Sequence, residues 1–269
     1  MTDWVEWLDL PETVGTTTVL WLLLAGLMAG WVDAVVGGGG LIQLPALLLG
    51  LGTGSPAVLA LATNKLASIC GTVTSATTYY RRVRPDLRTA LPMAGFALLG
   101  ALAGAFIATV LPSSAITPIV LVALVCVLVY TVRRPSLGAT TLLRFRGRRH
   151  HGRAGGLGFV IGVYDGAVGP GTGSFLVFGL VSLLGYAFLE ASAKAKIANV
   201  ATNFGALLVF VPQGVVLWKL GLLMGVANVF GGYVGARTAV AQGAGFVRVV
   251  FLLVSSALVL RLGYQVLTG

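Results

Sequence analysis

The stretch WVDAVVGGGGLIQLP, residues 31–45, sets Asp33 and four consecutive glycines inside a run otherwise apolar enough to lie in lipid. A carboxylate resists burial in hydrocarbon and glycine loosens a helix, so a membrane segment carrying both needs a reason. Either a tolerant fold absorbs the pattern or the pattern is the working part of the protein.

Composition sets the class. With 57% hydrophobic and only 10% charged residues over 269 positions, and a mean hydropathy of +0.95, the chain reads as an all-α, multi-pass membrane protein. Cys70 and Cys126 both sit in apolar runs, so neither a disulfide framework nor a metal cluster is expected. The first residues, MTDWVEWLDLPE, carry Asp3, Glu6, Asp9 and Glu12 and no basic residue. That is the wrong polarity for a secretory signal, so the first apolar run is expected to be retained as a span.

The net charge of +10 is unevenly spread. Arg81, Arg82, Arg84 and Arg88 share one short loop, and Arg133, Arg134, Arg144, Arg146, Arg148, Arg149 and Arg153 another. Basic loops of this kind mark the cytoplasmic side, although RFRGRRHHGR also suits RNA or anionic lipid. A topology determinant is the commoner meaning, and no nucleic-acid partner is expected. His150 and His151 are read there as solvated loop residues rather than metal ligands.

Apolar runs fall at 16–36, 41–51, 57–80, 89–111, 114–132, 154–168, 173–186, 189–212, 219–237 and 246–267, some too short to span alone. An external acidic N-terminus (1–15) then puts every basic loop inside and both chain ends outside. The chain also repeats itself. GLMAGWVDAVVGGGG (26–40) lies over GFVIGVYDGAVGPGT (158–172), matching Asp33 with Asp165, Gly37 with Gly169 and Gly39 with Gly171. Further on, Lys65 meets Lys196, Met93 meets Met224, and GALAGA (100–105) meets GGYVGA (231–236). With five segments per copy, the two copies must cross the membrane in opposite senses. The expected organisation is repeat 1 (16–132), a basic cytoplasmic loop (133–153) and an inverted repeat 2 (154–269).

A helix broken at glycine frees the first N–H groups of the half-helix that follows, and the helix dipole adds positive character there. Such an end binds anions, and in lipid it is tolerable only beside a cavity or inside protein. GGGG and GPGTG are therefore expected to meet near mid-membrane as a site for a small anion, built from Gly37, Gly38, Gly39 and Gly40 with Gly169, Pro170, Gly171, Thr172 and Gly173. The competing reading is that the glycines only permit close helix packing, as Gly26 with Gly30 and Gly100 with Gly104 surely do.

DAVVGGGGLIQLPALL, ATNKLAS, YDGAVGPGTGSF and SAKAKIANVATN resemble the TauE/SafE sulfite exporter family of membrane permeases over nearly the whole chain. The second-half motifs look most like a widespread subgroup of uncharacterised bacterial permeases. The resemblance implies a carrier in the bacterial cytoplasmic membrane for sulfite, sulfonates or related organic anions, with no cofactor and no ATP hydrolysis of its own. The family includes exporters and importers.

Ionisable residues within spans cost about 2.5–3.5 kcal/mol each at a helix centre on insertion scales, so Asp33, Lys65, Asp165, Lys194 and Lys196 are informative. Lys65 and Lys196 lie roughly eight residues into their segments, some 12 Å deep at about 1.5 Å per residue. In the functional reading they neutralise a sulfo or carboxylate group, with Asn64, Asn199 and Asn203 adding amide donors. In the competing reading each pairs with an aspartate or snorkels. Lys194, on another helix face, is the expected snorkeler. Asp33 and Asp165 precede the glycine breaks by four residues and suit either helix capping or proton coupling.

No HExxH or GxSxG set supports an enzyme. The expected function is secondary transport of a small anion, organosulfur or carboxylate, by alternating access. A passive anion channel is the alternative, with a membrane enzyme or assembly protein behind it. The expected partners are the anion and the lipid bilayer, and a homo-oligomer is compatible with the sequence.

Overall fold

In the computed structural model the described residues are 14–52, 55–108 and 140–268, with isolated positions between 125 and 138. They form helices α1 (Thr16–Val36), α2 (Gly40–Leu51), α3 (Ala57–Val83), α4 (Leu87–Ala108), α5 (Gly147–Ala167), α6 (Thr172–Gly179), α7 (Phe188–Phe210) and α8 (Trp218–Thr268). A π-helical turn, Leu180–Leu184, extends α6. The expected segment 114–132, apart from isolated positions, and the acidic stretch 1–13 lie outside the described residues.

Among the described residues, α1, α3, α4 and Trp218–Val254 of α8 are long and apolar enough to cross a membrane. The exterior is greasy, with Trp21, Phe106, Phe230 and Leu253 more than 60% exposed, while Lys65, Gln43, Lys194 and Lys196 are at most 1% exposed. Apolar outside and polar inside is the arrangement of a chain whose solvent is lipid.

Two boundaries differ from the sequence reading. Helix α3 runs past position 80 to Val83 with Arg81 and Arg82 in its last turn, where the negative end of the helix dipole favours cations. Helix α5 begins at Gly147, so the last third of the basic loop, 147–153, is helical. The Arg153 guanidinium lies 3.5 Å from the centroid of the Phe145 ring there. The expected segments 219–237 and 246–267 stand as two helices that meet at a kink at Gly243, where φ is +77°, and α8 names the two together.

Helix pairing crosses between the halves of the chain. Helix α4 packs most extensively on α5, and α1 on α8. In sequence register these are equivalent pairings, each joining the first long helix of one half to the fourth segment of the other. Glycine makes both possible. A Cβ on Gly100 or Gly104 would sit 2.2 or 2.1 Å from the carbonyl oxygens of Phe159 and Val163, and one on Gly231 would sit 2.0 Å from that of Leu27. Only a hydrogen fits between such backbones, so these glycines serve close packing, as do Gly26 and Gly30 on α8.

Candidate functional site

The two glycine-rich stretches break their helices at matching points. Gly37, in the left-handed region at φ +85°, ends α1, and its N–H donates to the carbonyls of Asp33 and Val32. Helix α2 restarts at Gly40. In the other half Gly169 and Gly171 take φ +89° and +82° between α5 and α6. The Tyr164 hydroxyl donates to the Pro170 carbonyl and holds the turn.

The breaks touch. A Cβ on Gly37 would lie 2.4 Å from Gly173 Cα, and one on Gly173 would lie 2.4 Å from Gly37 Cα. The Ser174 N–H donates to Gly37 O at 3.1 Å, and its hydroxyl donates to Val36 O at 3.0 Å. The starts of α2 and α6 are thereby brought to one place, where the Leu41, Ile42 and Thr172 N–H groups donate to the carbonyls of Gly38, Gly39 and Gly169.

Helices α3 and α7 deliver a lysine each, and each lysine crosses to the aspartate of the other half. Lys65 Nζ lies 2.8 Å from Asp165 Oδ2, with side-chain exposures of 1% and 3%. Lys196 Nζ donates to Asp33 Oδ2 at 2.8 Å, with exposures of 0% and 15%. The two pairs are reciprocal: α1 with α7, and α5 with α3. The Thr172 hydroxyl adds a 2.6 Å bond to Asp165 Oδ1. A Cβ on Gly169 would come within 3.2 Å of Lys65 Nζ, which places that ammonium at the break itself.

Between the pairs lies a polar cavity of about 20 Å³, little more than one water centre needs. Of the expected residues it is lined by Asp33, Gly37, Gly40, Asn64, Lys65, Asp165, Gly169, Gly171, Thr172, Gly173, Asn199 and Asn203. Asn64 is 4% exposed, and its Oδ1 has no partner. Turned over, the same amide offers a donor to the cavity.

The remaining expected residues stand back from it. Lys196 acts through Asp33. Gly39 packs on the neighbouring turn, where a Cβ would meet Ala29 O at 2.4 Å. Gly38 faces Val32 and Val254, and Pro170 lies behind Gly40. Ser68, which also lines the cavity, was missed by the sequence reading. Its position one helical turn beyond Asn64 was the available signal.

Two expectations are corrected. Lys194 does not snorkel: it is 1% exposed, and its ammonium sits 4.3 Å from the centroid of the Tyr186 ring. An aromatic face satisfies a cation that water would otherwise hold. His150 is a buried helical residue, 5% exposed, with Nε2 at 2.8 Å from the Tyr186 hydroxyl. The turn before α7 supplies its partner and removes it from solvent.

Comparison with known proteins places residues 22–262 in the family described as Sulfite exporter TauE/SafE. The chain is 38% identical to a "Probable membrane transporter protein ORF9" of Sinorhizobium, over 90% of each chain. It is 33% identical to "Probable membrane transporter protein YfcA" of Escherichia coli K12, over 91% of this chain and 89% of that one. A "Probable membrane transporter protein" of Haemophilus influenzae is 29% identical over 94% of this chain and 97% of its own. No solved structure matches the chain.

Proposed function

The chain belongs to the Sulfite exporter TauE/SafE family of membrane proteins, and on that premise we propose that it is a secondary transporter of a small anion in the sulfite, sulfonate or related organic-anion class. The anion binds between the two helix breaks, near mid-membrane, and reaches either side by alternating access. The observation that carries this reading is the reciprocal pairing of two buried lysines with two aspartates, Asp165 buried and Asp33 partly so, around one polar cavity.

Anion chemistry follows from the donor set. Two helix starts border the cavity, Lys65 supplies a full charge, and Asn64, Asn199, Asn203 and Ser68 supply neutral polar contacts. A cavity of about 20 Å³ is too small for a sulfo or carboxylate group. Entry therefore requires Lys65 and Asp165 to part, the ammonium turning to the anion. Each ion pair is neutral as a unit, so a buried monoanion alone would leave the site with one uncompensated negative charge, a costly state in low dielectric. A proton on the displaced carboxylate removes that charge. In this reading Asp165 and Asp33 are the proton carriers, and transport is electroneutral.

The reciprocal helix pairings and ion pairs favour two inverted repeats, since a two-fold axis within the membrane plane relates equivalent contacts in such an assembly. Rocking of one repeat against the other would then expose the cavity alternately. We place the protein in the bacterial inner membrane, with segments 81–88 and 133–153 cytoplasmic and both ends external. In the Leu143→Cys variant, labelling by a membrane-impermeant thiol reagent from outside would overturn this orientation.

The decisive experiment is a thermal-shift screen of purified protein against sulfite, sulfate, thiosulfate, sulfoacetate, taurine and small carboxylates. A ligand that binds only the folded state raises the melting temperature, by about 2.7 kcal/mol of added stability at a hundredfold excess over its Kd. At least one sulfur oxyanion or sulfonate is expected to do so. A flat response across the whole panel would sink the anion-site reading.

A further inference from the structure

Far from the central cavity in function, the last turns of α3 meet α8 ahead of its Gly243 break, and two adjoining pockets open there. One, of about 130 Å³, is lined by Thr77, Thr78, Arg81, Arg82, Tyr233 and Arg237. The other, of about 160 Å³, is lined by Arg82, Arg237, Val240 and Ala241. Arg82 and Arg237 belong to both, so the two form one groove holding three guanidinium groups and no carboxylate. Among the described residues these three arginines have no acidic partner.

We propose that this groove binds the phosphate head group of an anionic phospholipid. The guanidinium fork matches a phosphate, and basic pockets between membrane helices suit such head groups. One arginine is already oriented: Arg237 donates to the Tyr233 hydroxyl at 2.9 Å and lies 5.4 Å from the centroid of that ring. The hydroxyls of Thr77 and Thr78 donate to the carbonyls of Val73 and Thr74, each at 2.8 Å, which leaves the arginines as the donors for an anion.

What selects a lipid over a free phosphate is the surface one or two turns along the same helices. Val73 on α3 is 45% exposed, and Phe230 and Val234 on α8 are 63% and 53% exposed. A ligand seated on the arginines can thus lay a hydrocarbon chain along an apolar helix face, which inorganic phosphate cannot exploit. Tyr80 and Tyr233, 48% and 46% exposed, stand near the level where aromatic residues mark the membrane interface.

The test compares detergent-purified protein given phosphatidylglycerol, phosphatidylcholine, glycerol phosphate or inorganic phosphate, read by native mass spectrometry and melting temperature. Phosphatidylglycerol is expected to be retained and to raise the melting temperature, the other three to do neither. The Arg82→Gln/Arg237→Gln variant should retain phosphatidylglycerol about tenfold more weakly. The Arg148→Gln/Arg149→Gln variant, which loses the same formal charge elsewhere, should retain it normally. Equal losses in both variants would overturn the site in favour of diffuse charge attraction. Equal stabilisation by inorganic phosphate would overturn the lipid assignment. Neither outcome depends on which anion the central cavity carries.

Discussion

Lys65→Met is expected to abolish the stabilisation given by the transported anion and to lower folding stability by about 3–5 kcal/mol, because it strands Asp165 at 3% side-chain exposure without its partner. Lys196→Met should cost less stability, since Asp33 keeps 15% exposure and can borrow solvent. Lys194→Met forfeits a contact with the Tyr186 ring, worth about 0.5–2 kcal/mol, and should leave anion affinity unchanged. Stability and binding are separated by Lys65→Met/Asp165→Asn, which removes both charges of one pair. Replacing a buried pair by neutral groups is often tolerated, so this variant should melt closer to the parent and still fail to respond to the anion. A normal anion response in the double variant would show that Lys65 only neutralises Asp165, and the anion would have to bind elsewhere.

Most of the scaffold was legible because lipid imposes a simple rule: apolar runs of sufficient length become helices, and glycine or Gly-Pro interrupts them. The matched positions of Asp33 with Asp165 and Lys65 with Lys196 pointed to equivalent places in the two halves, and the breaks fell at Gly37 and Gly169, which both take a positive φ that favours glycine. The partnering was not legible. Lys65 and Asp165 are separated by 100 residues, and Lys196 and Asp33 by 163. Their pairing depends on the cross-packing of α4 on α5 and α1 on α8, set by single-atom clearances at glycines that sequence spacing does not encode.

Burial of the remaining polar residues was hidden for the same reason. Two histidines in an arginine-rich run look solvated, yet Tyr186, 36 residues further along, covers His150. Nothing in the local pattern distinguishes that histidine from its neighbour His151. Gln43 and Asn228 are a comparable case: their 2.6 Å side-chain bond spans 185 residues. Asn228 Nδ2 donates to Gln43 Oε1 there, while Gln43 Nε2 keeps no partner, and nothing in either segment points to the other.

Asp165→Asn is expected to uncouple protons from the anion. In the proposed cycle the parent protein takes up a proton on binding the anion, as Asp165 releases Lys65, so the complex would hold one more proton than the free carrier. Lowering pH therefore favours binding, by about tenfold in affinity per pH unit for one proton. Methanesulfonate is the suitable probe because it stays monoanionic between about pH 5 and 8, so any pH dependence belongs to the protein. The titratable groups facing the two carboxylates are Lys65 and Tyr164 around Asp165, and Lys196 and Tyr79 around Asp33. In Asp165→Asn the Lys65 ammonium has no carboxylate to leave. Methanesulfonate should then bind with a flattened pH profile and rescue a lowered melting temperature, because it supplies the missing negative charge. In proteoliposomes the parent should acidify the lumen as anion enters and carry no current, whereas the variant should move charge and respond to membrane potential. A parent protein whose methanesulfonate affinity ignores pH while binding remains saturable would remove the proton from the cycle and leave the anion site standing. An unchanged pH slope in both Asp165→Asn and Asp33→Asn would assign the proton to another group.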